Sequence, residues 1–441
     1  MSRFFRQKKR ILILILALLL ILLSIPITVL FLISENDSLL LPEKNNMDTT
    51  AAHSVRKLAR TIRNGVFSRK KKVSLTISQA EFNQLVALAR HSNPRINGRI
   101  NVSIHGIYFV FSLYVPENPA GDYLNISFMI LPSSDGLVLD EVKVGRLGFS
   151  GSSALWFSEQ AMNLVLGKSL GSEILDSVKQ VAINGKNALV QYQPIVNLSE
   201  KLKHSRKRFR KFRKDLQLGG DPRLVRVYLR GICQFDKTLN HDQQRSLVMY
   251  LPTVFNLVAA HDPDQKNIRN EYKAAILALG VYFGSRQFES VIGRVLTEDL
   301  KSCVSDNGVT LDGRNDLVRH FAVSAGLQVL AVSKVSFAIG EFKELLDSGK
   351  GGSGFSFIDL AADRAGLRFT IQVLKNAGHW PASKFIALLD DESAFMPGIV
   401  GLREDLSKRE FDLFYQDVDS VAYKSILKDI EQRIDRLSFF R

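Results

Sequence analysis

Residues 312–369 read DGRNDLVRHFAVSAGLQVLAVSKVSFAIGEFKELLDSGKGGSGFSFIDLAADRAGLRF, with acids and a histidine set among apolar and small residues. Asp316 and His320 are four apart, Glu344 and Asp347 three apart, and Asp359 and Asp363 four apart. On helices each pair shares a face. The stretch therefore reads as three helices: one opened at Asn315 and running through LVRHFAVSAGLQVLAV, one over FAIGEFKELLDS, and one started by Ser356 over FIDLAADRAGLRFTIQVL. Gly349, Gly351 and Gly354 spell G-x-G-x-x-G, but a helix and not a strand precedes them and no Lys-Ser/Thr follows. They read as a flexible connector, not a phosphate or dinucleotide loop.

Two readings of the polar side chains stand beside each other. In the structural one, Ser356 and Asp359 form a capping box, Asp316 favours a helix start, Lys343 pairs with Asp347, and Arg319 and Arg364 neutralise acids. In the functional one, three helices bring Asp316, His320, Glu344, Asp347, Asp359 and Asp363 together. A histidine among carboxylates suits general acid–base work, with His320 as acid or base, Asp316 orienting it, and Glu344, Asp359 and Asp363 as partners. Asp347, Asp359 and Asp363 could equally hold a divalent cation through their oxygens. The spacing does not choose between these, and the residues name no cofactor.

Outward towards the C-terminus, helices are expected over 381–390, 399–415 and 418–437. Towards the N-terminus, YLPTVFNLVAAH, NEYKAAILALGVYFG and FESVIGRVL read as helices, while VRVYLRGICQF leaves a short strand open. His241, His261 and His379 read as loop residues without a role. Residues 222–441 are thus a mostly helical domain. Residues 196–221 are a basic helical linker, in which Lys201, Lys203, Arg206, Lys207, Arg208, Arg210, Lys211, Arg213 and Lys214 interleave with Phe209 and Phe212. The linker is either a solvated helix or a polyanion-binding arm.

Residues 73–195 read as an α+β domain. Ser78 and Glu81 form a capping box before FNQLVALA. RINVSIH and IYFVFSLYV make a hairpin at His105–Gly106, YLNISFMIL and LVLDEVKV give further strands, and helices near 153–167 and 171–181 precede a strand over NALVQYQP. The expected result is one antiparallel sheet with a helix-covered face.

Residues 11–33, ILILILALLLILLSIPITVLFLI, carry no charge and follow MSRFFRQKKR. A helix of that length spans about 34 Å, enough for a hydrocarbon core. The flanking cations place the start in the cytoplasm and the rest outside. Residues 35–72 then read as a tether containing a short helix around 50–66.

The chain has 441 residues, 46 % of them hydrophobic, and a net charge of +15. Such a charge calls for a polyanionic partner. With the bulk outside the cytoplasm, anionic lipid, an acidic glycan or an envelope protein fits better than nucleic acid. Two cysteines, Cys233 and Cys303, exclude a disulfide-dense scaffold. A bridge between them and two buried thiols both remain open.

Two resemblances follow from these residues. Phe82, Asn83 and Leu85, with Gly145, Arg146, Leu147 and Gly148, resemble envelope-anchored domains of the YpmS type, which implies a spacer or binding domain. The order Asp316-x-x-x-His320-Phe321, Lys343-Glu344-x-x-Asp347, Ser356-x-x-Asp359-x-x-x-Asp363-x-x-Gly366 resembles the VanZ-like family and YfiM-type envelope lipoproteins. It implies a compact helical unit at a bacterial envelope and no established reaction. Asp363 departs from the asparagine common there.

The whole reads as a single-pass bacterial inner-membrane protein with a periplasmic bulk that binds or helps to process an anionic envelope polymer. The alternatives are a glycan- or peptidoglycan-acting hydrolase or lyase built on His320, and a purely structural assembly subunit.

Overall fold

The structure, a computed structural model, describes residues 30–40, 48–68, 70–116, 118–167, 169–202, 221–240, 242–303, 308–330 and 354–441. The apolar stretch before residue 30, the basic residues from Lys203 to Lys214, and Glu344 and Asp347 lie outside them. No helix among the described residues is long and apolar enough to cross a membrane. The described residues form a mixed α+β protein with antiparallel sheets. They divide into two compact units, one of residues 30–40 and 58–202, the other of 48–57 and 221–441.

In the first unit, β1 (Ser34–Glu35) precedes α1 (Thr49–Val66), which contributes residues to both units. Then come β2 (Val73–Ser78), α2 (Gln79–Ser92), β3 (Ile96–Ser103), β4 (Gly106–Tyr114), β5 (Tyr123–Leu131), β6 (Val138–Leu139), β7 (Val142–Val144) and β8 (Leu147–Phe149). The unit ends with α3 (Gly151–Leu166), α4 (Leu170–Ser177), β9 (Val178–Asn184) and β10 (Asn187–Tyr192).

The strands make two sheets instead of the one expected. The larger runs β3-β4-β5-β7-β8, with β1 and β6 also on β5; the smaller runs β2-β10-β9. Val181 and Ala188 of the small sheet share one core with Ile100, Val102 and Ile107 of the large one and Val86 of α2. The helix expected to reach 181 stops at Ser177, because VKQVAIN alternates at strand period and pairs with β10.

The edge strand β3 is closed by side chains of α2. Asn83 Nδ2 donates to the Ile100 carbonyl (2.7 Å) and its Oδ1 accepts from the Ile100 N–H (3.0 Å). Gln79 Oε1 accepts from the Val102 N–H at 2.8 Å. An edge satisfied in this way is no template for another strand. The first residues of the stretch read as a tether are part of the sheet: Glu35 pairs with Tyr123 of β5, and Asn125 Nδ2 donates to the Asp37 carbonyl at 2.8 Å. The sheet also holds the end of the apolar stretch, where the Arg146 N–H donates to the Leu32 carbonyl at 2.8 Å. Gly145 stands at φ +57°, where a Cβ would lie 2.5 Å from the Ile33 carbonyl oxygen, so this turn needs glycine.

The second unit contains α5 (Pro222–Asp236), β11 (Arg245–Ser246), α6 (Tyr250–His261), α7 (Ile268–Leu279), β12 (Val309–Thr310), α8 (Asn315–Leu330), α9 (Phe357–Asn376), α10 (Ala382–Ala387), α11 (Lys408–Phe414) and α12 (Val421–Asp435). Its one described strand pair, β11 with β12, is parallel. The possible strand at VRVYLRGICQF is helix α5, capped by Asp221, whose carboxylate accepts from the Arg223 N–H at 2.8 Å. Val225, Tyr228, Leu229 and Ile232 are buried at helical spacing, which outweighs the β-branched composition. FESVIGRVL gives only the short helix Glu289–Ile292, stopped by Gly293 at φ +115°. The helix expected over 399–415 starts only at Lys408, because Leu406 is bridged to Phe355.

Cys233 and Cys303 form a disulfide. The core around α9 is aromatic: Phe369 packs with Phe321, Phe395 and Phe439, and Phe357 with Phe355, Tyr415 and Tyr423.

Candidate functional site

Helices α8 and α9 face each other along a seam of small residues, Ala322 and Ala325 against Ala362 and Ala365, all buried. At Gly366 the backbones approach so closely that a Cβ would lie 2.1 Å from the Phe321 carbonyl oxygen. Thr370 Oγ1 donates to the Ala325 carbonyl across the same seam (3.1 Å). This approach brings polar side chains one helical turn apart on each helix into contact.

His320 Nδ1 lies 3.2 Å from Asp363 Oδ1, and Nε2 lies 3.3 Å from Asp359 Oδ2. Ser324, one turn beyond His320, donates to Asp363 Oδ1 at 2.7 Å. His320 is 8 % exposed and Asp363 6 %. Ser356 caps α9 by accepting from the Asp359 N–H at 3.0 Å, while the Asp359 carboxylate turns to the imidazole. The capping reading is therefore half of Asp359's role. A neutral imidazole has one N–H and can donate to only one of the two acids. Filling both contacts takes one further proton, on the ring or on a carboxyl.

The remaining sequence-selected residues go elsewhere. Asp316 is on the surface and pairs with Arg314 (Nη2 to Oδ2 2.6 Å), which also reaches Glu404 at 2.5 Å. The Arg314 guanidinium holds the Asp316 carboxyl below its ordinary range. Asp316 thus belongs to a surface ion pair and not to the His320 contacts. Lys201 pairs with Glu173 in the first unit. Arg364 pairs with Glu431, and Arg319 is exposed. No group of three or more His, Cys, Asp or Glu that could hold a metal occurs among the described residues.

A cavity of about 680 Å³ opens at the start of α8, and its walls include Asp316, Arg319, Asn315, Tyr282 and Arg286. Its size falls in the range of small-ligand pockets. The segment Gly280–Gly284 on its wall is a π-turn, a distortion frequent at functional sites. His320, Asp359 and Asp363 do not line it.

No protein-family model matches the chain. Neither a curated protein nor a solved structure matches it.

Two buried polar networks in the second unit were not legible as sites. Asp236 Oδ1 accepts from Arg245 Nη1 (2.6 Å) and from the Tyr250 hydroxyl (2.5 Å), all three residues being buried. Glu271, 3 % exposed, accepts from the Tyr228 hydroxyl (2.5 Å) and lies 3.1 Å from His261 Nδ1. Burial, followed by the Glu271 carboxylate, drives the Tyr228 hydroxyl pKa far up. His261, read as an ordinary loop residue, closes α6 and contacts this acid. The available signal was Glu271 itself, an acid among the otherwise apolar and aromatic residues that α7 buries.

Proposed function

We propose that this is a membrane-anchored envelope protein whose bulk lies outside the cytoplasm of a bacterium and binds an anionic envelope polymer. The apolar residues 11–33 supply the anchor, as one transmembrane helix. The observation that carries the reading is the Cys233–Cys303 disulfide, since such bridges persist in oxidising compartments and are rare in the cytosol. The net charge of +15 supports a polyanionic partner. The cavity beside Arg319 and Arg286 supplies a place for one of its anionic groups. The resemblance to VanZ-like and YpmS-type envelope proteins points the same way.

The arrangement of His320 favours binding over the hydrolase or lyase alternative. Both ring nitrogens already face carboxylates, so neither offers a lone pair to a substrate, and the described cavity is not lined by this trio. Retention of the full-length protein on acidic oligogalacturonate tests the reading. Binding is expected to weaken with salt and to fall severalfold in Arg319→Glu. Equal retention on a neutral glucan of the same length contradicts it.

A further inference from the structure

We infer that the exposed face of α3 in the first unit lies in the membrane interface, with Trp156, Phe157 and Leu164 among the lipid headgroups and upper acyl chains. The inference rests on the anchor reading of residues 11–33. Trp156 and Phe157 are each 55 % exposed and Leu164 83 %. With the exposed Gln160 and Ala161 they share one side of the helix, at positions 156, 157, 160, 161 and 164. The only charged side chain of α3, Glu159, is turned off that side: its Oε1 accepts from Ser172 at 2.5 Å. An exposed cluster of large apolar side chains of this kind, with Gln160 among them, marks an interaction surface.

The path of the chain selects the occupant. The apolar stretch ends at Ile33, and the Leu32 carbonyl is bonded to the backbone of Arg146. Strand β8 starts at the next residue and closes with Phe149, whose ring stands 6.3 Å from that of Phe157. Three residues of strand cover about 10 Å. Along this path the α3 face therefore begins within roughly 20 Å of the point where an uncharged run of membrane-spanning length leaves the bilayer. Leu30 and Phe31, at that point, are 38 % and 50 % exposed. Arg146, exposed between the two, is placed to meet lipid phosphate. Trp, Phe and Leu beside a cation are the side chains that favour this depth. A second copy of the chain would need no such proximity to the anchor.

The full-length chain is reconstituted in phosphatidylcholine–phosphatidylglycerol vesicles with acyl chains brominated near the headgroup. Trp156 and Trp380 are its two tryptophans, so the emission of Trp156 is the difference between the native protein and Trp156→Phe. That difference is expected to be shifted to the blue and quenched by the brominated lipid. If the protein floats with the vesicles and the difference emission is unquenched, the α3 face is not in the membrane, whether it meets water or a second copy. If the protein does not float, the anchor reading fails and takes this inference with it.

Discussion

At His320 a carboxylate stands 3.2 or 3.3 Å from each ring nitrogen, inside the seam of two helices. Removing the ring leaves Asp359 and Asp363 buried together without the group between them. Breaking a buried pair from one side costs about 3–5 kcal/mol. His320→Ala is therefore expected to lower the urea midpoint by that equivalent, and an unchanged midpoint would refute the clamp. The buried tyrosines give a pH dependence. Burial raises the hydroxyl pKa values of Tyr228, Tyr250 and Tyr282, and Tyr272 is pushed up to about 12. Above the ordinary value of 10.0 the folded chain then holds protons that the unfolded chain has released. Their stabilisation is complete below that pH and is lost as pH rises past it. Denaturant titrations should show a falling midpoint above pH 10, and a flat one would contradict the burial. At this scale the sequence marked His320, Asp359 and Asp363, because polar side chains at helical spacing in an apolar run have to find one another. It misassigned Asp316, since nothing in the spacing says that Arg314, two residues earlier, takes that carboxylate.

Among the elements, α8 and α9 were legible from periodicity and from the Ser356 cap. Their closeness was not, because it depends on Gly366 meeting a backbone carbonyl of another helix. Gly366→Ala is expected to force the helices apart at a cost of about 1–3 kcal/mol. Thermal unfolding would read this as a lowered Tm, and an unchanged Tm would mean that the seam is looser than described. The two sheets of the first unit escaped the sequence reading for a similar reason. VSLTIS in β2 alternates as a strand should, but its partner β10 lies more than a hundred residues away. Helix α5 shows the opposite case: β-branched composition left a short strand open, and the buried spacing of Val225, Leu229 and Ile232 decided for a helix.

For the whole molecule, helix caps and runs at strand and helix period made the α+β class legible, while the disulfide needed the fold, since two cysteines 70 residues apart carry no pairing signal. That bridge joins α5 to the turn after Lys301 and closes a long loop, a constraint worth roughly 4 kcal/mol in the chain-entropy model. It also ties the fold to the proposed location outside the cytoplasm. The most direct test is the thiol state of the full-length protein in its native membranes, trapped by acid and alkylated with a mass-tagged maleimide under denaturing conditions. The account predicts no tag before reduction and two after it; two tags on the unreduced protein would contradict it.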